Sequence, residues 1–108
     1  MRLYHNPRCS KSRQAVALLT EAGVEFEDYR YLSEGIHIDD LDVLSSLTGI
    51  VRPKDVEGSM NLKELDHTEI KELLQNQPKC LERPVLVTNG KAAIGRPPER
   101  ILEFLQNQ

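Results

Sequence analysis

Residues 2–13 read Arg2-Leu3-Tyr4-His5-Asn6-Pro7-Arg8-Cys9-Ser10-Lys11-Ser12-Arg13. Arg2–His5 has the character of a short strand, and Asn6-Pro7-Arg8 that of a loop. A helix is predicted from about Ser10 to Ala22, because Ala15, Leu18, Leu19 and Ala22 recur at i, i+3, i+4 and i+7, and Gly23 is a natural C-terminal stop. Residues 24–31, Val-Glu-Phe-Glu-Asp-Tyr-Arg-Tyr, favour a second strand with imperfect alternation. Strand, helix and strand within about 30 residues make a βαβ unit, whose crossover is expected to be right-handed.

Working outward, Ile38, Leu41, Leu44 and Leu47 suggest a helix carrying Asp39, Asp40 and Asp42 in its first turn, where the helix dipole favours acids, and ending at Gly49. Residues 50–61 hold Pro53 and Gly58 without a clear period and read as loop. Asp66-His67-Thr68-Glu69 resembles a capping box ahead of Ile70, Leu73 and Leu74, and Pro78 closes that helix. Pro84–Thr88 is a predicted strand, Asn89-Gly90 a type I′ turn and Lys91–Ile94 the return strand. Pro97-Pro98-Glu99 then opens a last helix with Ile101, Phe104 and Leu105 on one face. The order βαβ, two helices, β-hairpin, α fits an α/β fold on a four-stranded mixed sheet.

The chain has 108 residues, which suits one domain over residues 1–108. With 39% hydrophobic and 29% charged residues, it has the composition of an ordinary folded domain and not a disordered one. Lys and Arg number 14 against 17 Asp and Glu, so the net charge of −3 argues against general nucleic-acid binding. No apolar run approaches membrane-spanning length. Met1–Cys9 lacks the apolar region of a secretory signal, so a cytoplasmic location is expected. The two cysteines, Cys9 and Cys80, form no disulfide framework, and no CxxC, CxxH or HExxH pattern suggests a metal.

Cys9 lies between the first strand and the first helix, where free backbone N–H groups and the helix dipole favour an anion. A thiol there tends to ionise. Arg8, Lys11 and Arg13 bring positive charge, and the Ser12 hydroxyl is placed to donate to a thiolate. Cys9-Ser10-Lys11-Ser12 therefore has the spacing of a CxxC redox motif with a hydroxyl in place of the second thiol. Such a thiol needs an external thiol or another cysteine to complete a cycle. Against this stands the reading of Cys9 as a small buried residue packing a helix start. Arg83 and Arg96 each precede a proline. If the strand after Arg83 begins beside the Cys9 loop, a guanidinium fork there suits a tetrahedral oxyanion, whereas both arginines read equally as solvated loop residues.

His5-Asn6-Pro7-Arg8-Cys9-Ser10-Lys11-Ser12-Arg13 resembles the active-site segment of the glutaredoxin-coupled arsenate reductase family, a branch of the thioredoxin-like fold. Glu82-Arg83-Pro84-Val85-Leu86-Val87, Asn89-Gly90-Lys91 and Ile94-Gly95-Arg96-Pro97-Pro98-Glu99 resemble its C-terminal signature. The resemblance covers nearly the whole chain. It implies a thioredoxin-like sheet with a helical insertion at about residues 37–77 and a cis Arg83–Pro84 bond. It also implies that a cysteine thiolate attacks arsenate, that glutathione joins the adduct as co-substrate, and that glutaredoxin removes the glutathione as arsenite leaves, with no bound cofactor. Carried over, Cys9 is the nucleophile, and Arg83 and Arg96 are two of three oxyanion-binding arginines. His5, Asn6, Ser12, Arg13 and Pro84 support them.

The third arginine is where the pattern departs. Counting back from Leu62-Lys63-Glu64-Leu65 without a gap puts Val56 there and leaves two arginines, whereas matching Val51-Arg52-Pro53-Lys54-Asp55 by residue type assigns Arg52, although Pro53 interrupts the helix expected there. Cys80 reads as a packed or exposed thiol, or as one that resolves a Cys9 adduct. His5 either tunes the thiol and its loop or simply packs, and His37 and His67 are expected to be solvated near helix starts. Two other functions fit parts of the pattern. One is a glutathione-dependent thiol reductase with another substrate. The other is a redox-responsive transcription regulator of the Spx type, which usually carries CxxC where this chain has Cys9 and Ser12.

Overall fold

Strand β1 (Arg2–Tyr4) is the pivot of the sheet. In the computed structural model, which describes residues 1–58 and 61–108, it pairs in parallel with β2 (Glu27–Tyr29) and antiparallel with β3 (Val85–Thr88). Strand β4 (Lys91–Ile94) pairs antiparallel with β3 and completes the order β2-β1-β3-β4. Asn89 and Gly90 link β3 to β4 with φ of 54° and 72°, the left-handed values a type I′ turn requires.

The period-2 alternation of the strands sorts the core into two. Leu3 and Leu86, register partners, face Ala15 and Leu19 of α1 (Ser10–Glu21) and Ile101 of α5 (Arg100–Gln106). Tyr4, Val85 and Val87 face the other way, toward α2 (Tyr31–Glu34), α3 (Leu41–Ser45) and α4 (His67–Asn76), which bring in Tyr31, Leu41, Leu44, Leu73 and Leu74. The expected capping box is present at the head of α4. The Asp66 side chain accepts from the Glu69 N–H at 2.8 Å, and the Glu69 carboxylate accepts from the Asp66 N–H at 3.2 Å.

Several boundaries differ from the sequence reading. The second strand covers Glu27–Tyr29 and not residues 24–31: the Val24 N–H closes the end of α1 on Leu19 O, and the chain turns into α2 directly after Arg30. The helix expected at Ile38 begins as a 3-10 turn, Ile38–Asp40, and Ile38 is 70% exposed; the buried stripe starts at Leu41. The described residues of the stretch 50–61 are more regular than a plain loop. Ile50 is buried, Val51 bridges Leu81, and Pro53 opens a 3-10 turn over Pro53–Asp55, with Ser59 and Met60 outside the described residues. The last helix starts at Arg100, after turns in which the Arg100 and Ile101 N–H groups bond the Pro97 and Pro98 carbonyls.

Asp40, at the head of the segment leading into α3, is buried. Its Oδ2 accepts from Arg2 Nη1 at 2.7 Å and from the Tyr4 hydroxyl at 2.6 Å, and the Tyr4 oxygen accepts from the His37 N–H at 3.1 Å. Burial, reinforced by the bond to Asp40, pushes the Tyr4 hydroxyl well above the usual tyrosine range. This buried network ties β1 to the segment before α3. Asp40→Ala leaves the Tyr4 hydroxyl and the Arg2 guanidinium without their shared partner, so it is expected to lower unfolding stability by about 2–4 kcal/mol. Denaturant titration with an unchanged m-value checks this.

Candidate active site

Strand direction decides what meets what. Parallel β1 and β2 end on the same side of the sheet, antiparallel β3 begins there, and β4 ends there. Cys9 after β1, Tyr31 after β2, Arg83-Pro84 before β3 and Arg96 after β4 are thereby gathered at one edge. The Arg83–Pro84 peptide is cis, as the resemblance implies, and so is Arg96–Pro97.

Cys9 occupies the N-cap of α1 with extended backbone, φ −92° and ψ 121°. The turn before it is closed by the Cys9 N–H on Asn6 O and by the Arg8 N–H on Asn6 Oδ1, both at 3.0 Å. Its sulfur accepts from Arg96 Nη2 at 3.4 Å. Burial alone would push this thiol up. The backbone N–H groups of Ser12 and Lys11 and the charges of Arg96 and Arg83 outweigh burial and hold it below its ordinary value. Neither N–H closes a full hydrogen bond to the sulfur, so their influence is that of dipoles at the helix head.

Two sequence expectations about this loop are corrected. The fully buried Ser12 hydroxyl makes no hydrogen bond to Cys9; it bonds His5 Nδ1 at 2.6 Å and accepts from the Asn6 N–H at 3.0 Å. The cations acting on the thiol are the distant Arg96 and Arg83, not the neighbouring Arg8, Lys11 and Arg13. Those three are exposed, Arg8 in the turn before the N-cap and Lys11 and Arg13 on the outer face of the first helical turn, and Arg13 Nη1 braces the loop by donating to Pro7 O at 2.8 Å. Burial, assisted by Arg30 and Arg13, holds His5 below the usual histidine value against the pull of Asp28. The imidazole is therefore neutral at pH 7 and serves Ser12 as a bonding partner.

Arg83, Arg96 and Arg52 form one charged cluster through two carboxylates that sequence reasoning did not single out. Asp55 Oδ2 meets Arg52 Nε at 3.1 Å and Arg83 Nη1 at 3.2 Å. Glu82 Oε1 meets Arg96 Nε at 3.0 Å and Arg52 Nη1 at 3.6 Å. Arg83 Nη1 also donates to Lys79 O and Leu81 O, and Arg96 Nε donates to Arg83 O at 2.9 Å. The stretch 50–56 is brought here by two backbone bonds, Arg52 N–H to Cys80 O at 2.7 Å and Glu82 N–H to Ile50 O at 2.6 Å. Arg52 thus joins the cluster one step further from the sulfur than Arg96. The available signals for the acids were the adjacency of Glu82 to Arg83 and the i, i+3 spacing of Asp55 from Arg52.

Cys80 is free, fully buried and packed with Tyr4, Leu81 and Val85. Burial pushes its thiol up to about 11. Iodoacetamide at pH 7.5 is therefore expected to label Cys9 faster than Cys80 by roughly 100-fold or more, with both labelled after unfolding. Mass spectrometry of the labelled peptides reads this directly, and equal labelling of the folded protein contradicts it. Among the described residues no group of three or more His, Cys, Asp or Glu side chains is placed to hold a metal ion. Among the described residues no helix is long and apolar enough to cross a membrane.

The arrangement offers one lowered thiol, cationic donors around it and no second thiol within the loop. Comparison with known proteins points the same way. The ArsC family model matches residues 4–104. The chain is 40% identical to the uncharacterized protein YfgD of Escherichia coli K12, over 97% of this chain and 96% of that one. It is 39% identical to an arsenate reductase of Neisseria meningitidis, over 94% of each. A solved arsenate reductase from Vibrio cholerae superposes with a TM-score of 0.71 at 32% identity, covering 95% of this chain and 97% of that one.

Proposed function

Because the chain belongs to the ArsC family, with its thioredoxin-like fold, we propose that it is an enzyme that reduces arsenate to arsenite with glutathione and glutaredoxin as electron donors. The observation that carries the reading is the lowered Cys9 thiol at the head of α1, in contact with Arg96 and under the charge of Arg83. Arg83, Arg96 and, as the third arginine, Arg52 hold the oxyanion. The carboxylates of Asp55 and Glu82 keep the three guanidinium groups apart and oriented until the anion arrives. His5, Asn6, Ser12 and Arg13 set the loop, and buried Pro84 seats the start of β3 beneath it.

Reduction of arsenic from +5 to +3 takes two electrons, which two thiols supply by forming one disulfide. The Cys9 thiolate attacks arsenic, and one arsenic–oxygen bond breaks, the oxygen leaving as water with protons from the arsenate and solvent. Glutathione condenses on the same arsenic with loss of a second water. A bond then forms between the Cys9 and glutathione sulfurs, arsenic keeps an electron pair, and the As(III) product takes up one water from solvent and departs as arsenite. A glutaredoxin thiolate attacks the glutathione sulfur of this mixed disulfide and frees Cys9. The buried, raised Cys80 thiol and the engaged Ser12 hydroxyl support an external second thiol over an internal one. A glutathione-supplied cycle suits a reducing compartment, the cytoplasm, and residues 1–108 act in it as one domain with the helical insertion over about 37–77.

The test is purified protein with arsenate, glutathione, glutaredoxin and a glutathione-reducing system, with arsenite measured. Arsenite formation that requires both thiol donors supports the reading. Glutathione-dependent disulfide reduction without arsenite indicates a thiol reductase with another substrate, and specific co-purification with RNA polymerase indicates a regulator.

A further inference from the structure

Among the described residues, two buried side-chain polar atoms lack a hydrogen-bond partner, the Tyr31 hydroxyl and Arg83 Nε. Buried polar groups are almost always paired, so an orphan calls for a reason. Both orphans lie at the edge of the sheet that carries Cys9. Tyr31 is fully buried and follows β2 by two residues; β2 runs parallel to β1, so Tyr31 emerges beside the Cys9 loop. Its ring is held by the core: the Tyr4 ring centroid is 6.3 Å away, and Cys80, Leu81 and Val85 belong to the same cluster. Its hydroxyl lies within the electrostatic reach of Arg83, Cys9 and Arg52. The Asn6 amide acts on it as a donor toward the phenol oxygen, short of hydrogen-bond geometry, and leaves the hydroxyl proton itself without an acceptor.

Burial keeps the phenol protonated, so it offers a proton. Arg83 Nε can only donate. Two unpartnered donors beside a nucleophilic sulfur match an acceptor with several lone pairs, as an anionic oxygen has, and match no cation. A phenylalanine would fill the same space without burying an orphan hydroxyl.

We propose that Tyr31 is a binding residue of this site, its hydroxyl donating with Arg83 Nε to an oxygen of the anion attacked by Cys9. The assignment rests on the anion-binding part of the proposed function and adds a neutral donor to its arginines. Tyr31 fixes which oxygen of the anion faces the core, and so helps set the line of attack from the sulfur.

The test compares wild type with Tyr31→Phe in two assays. The first is the KM for arsenate. The second is the ratio of Cys9 alkylation rates by iodoacetate, an anion, and iodoacetamide, its neutral counterpart. Tyr31→Phe is expected to raise the arsenate KM about tenfold and to lower the iodoacetate-to-iodoacetamide ratio roughly fivefold, with thermal unfolding unchanged or shifted upward. An unchanged KM and ratio overturn the assignment. So does a lower unfolding midpoint with both alkylation rates altered equally, which marks a packing role. A lowered ratio in a protein whose wild type makes no arsenite leaves Tyr31 as an anion donor and overturns the arsenate reading instead.

Discussion

Cys9→Ser is expected to reduce arsenite formation by at least about 10³-fold while leaving the fold intact. A serine hydroxyl does not ionise near neutral pH, so the helix-head N–H groups and the guanidinium groups have no thiolate to stabilise. Nor can serine form the disulfide that delivers two electrons to arsenic. The structural cost is small, because Cys9 is only partly buried and serine is a good N-cap residue. Arsenite measurement together with a thermal melt separates the two effects: lost activity with an unchanged or higher midpoint is the expected pair. A variant that keeps even a tenth of wild-type turnover places the nucleophile elsewhere. The linkage has a defined sign. The Cys9 thiol is lowered in the folded state, so its contribution to stability is present above the unfolded thiol value and fades as pH falls through the folded one. The stability advantage of wild type over Cys9→Ser should therefore grow as pH rises from the folded thiol value to the unfolded one and level off above it.

Arg96→Ala is expected to lower kcat/KM by roughly 10²–10³-fold and to move the acid limb of its pH profile upward. Arg96 touches the sulfur at 3.4 Å, donates to Arg83 O at 2.9 Å and pairs with Glu82 at 3.0 Å. Removing it takes away one of the charges that hold the thiol low, so a higher pH is needed for the same thiolate fraction. It also leaves Glu82 nearer to Arg52 alone, adding uncompensated negative charge beside the incoming anion. Arg96→Lys keeps the charge without the fork and should restore part of the acid limb but little of the oxyanion binding. Thiolate absorbance against pH and steady-state kinetics in parallel check both halves. An Arg96→Ala profile that falls uniformly without shifting would limit Arg96 to substrate binding.

The local signals carried far. Gly23 after α1, the Asp66 and Glu69 box, the Asn89-Gly90 turn and the position of Cys9 at a helix head were legible because each depends on contacts within a few residues. The same local logic misled where tertiary contacts compete. By position Asp40 is a first-turn acid favoured by the helix dipole, and in the fold it is also the buried partner of Arg2 and Tyr4 from β1. Ser12 looked like a donor to the thiol until His5 and Asn6 were found to engage it. Arg8, Lys11 and Arg13 are the cations nearest Cys9 in sequence, yet the loop turns Arg8 and the helix turns Lys11 and Arg13 to solvent.

The residue pattern from Arg2 to Tyr31 and from Pro84 to Leu105 was enough to determine the sheet, its hairpin and the helix bearing the nucleophile, since period and turn chemistry are short-range properties. Which charges surround that nucleophile was decided only by the tertiary structure. Arg52, Asp55, Glu82, Arg83 and Arg96 come from three separate segments, and strand direction together with the backbone bonds joining Ile50 and Arg52 to Cys80 and Glu82 brings them together. Charge acts through space and not along the chain, so the spacing of Arg52 and Asp55 and the adjacency of Glu82 and Arg83 mark local pairs, while their convergence on one cluster is a tertiary property.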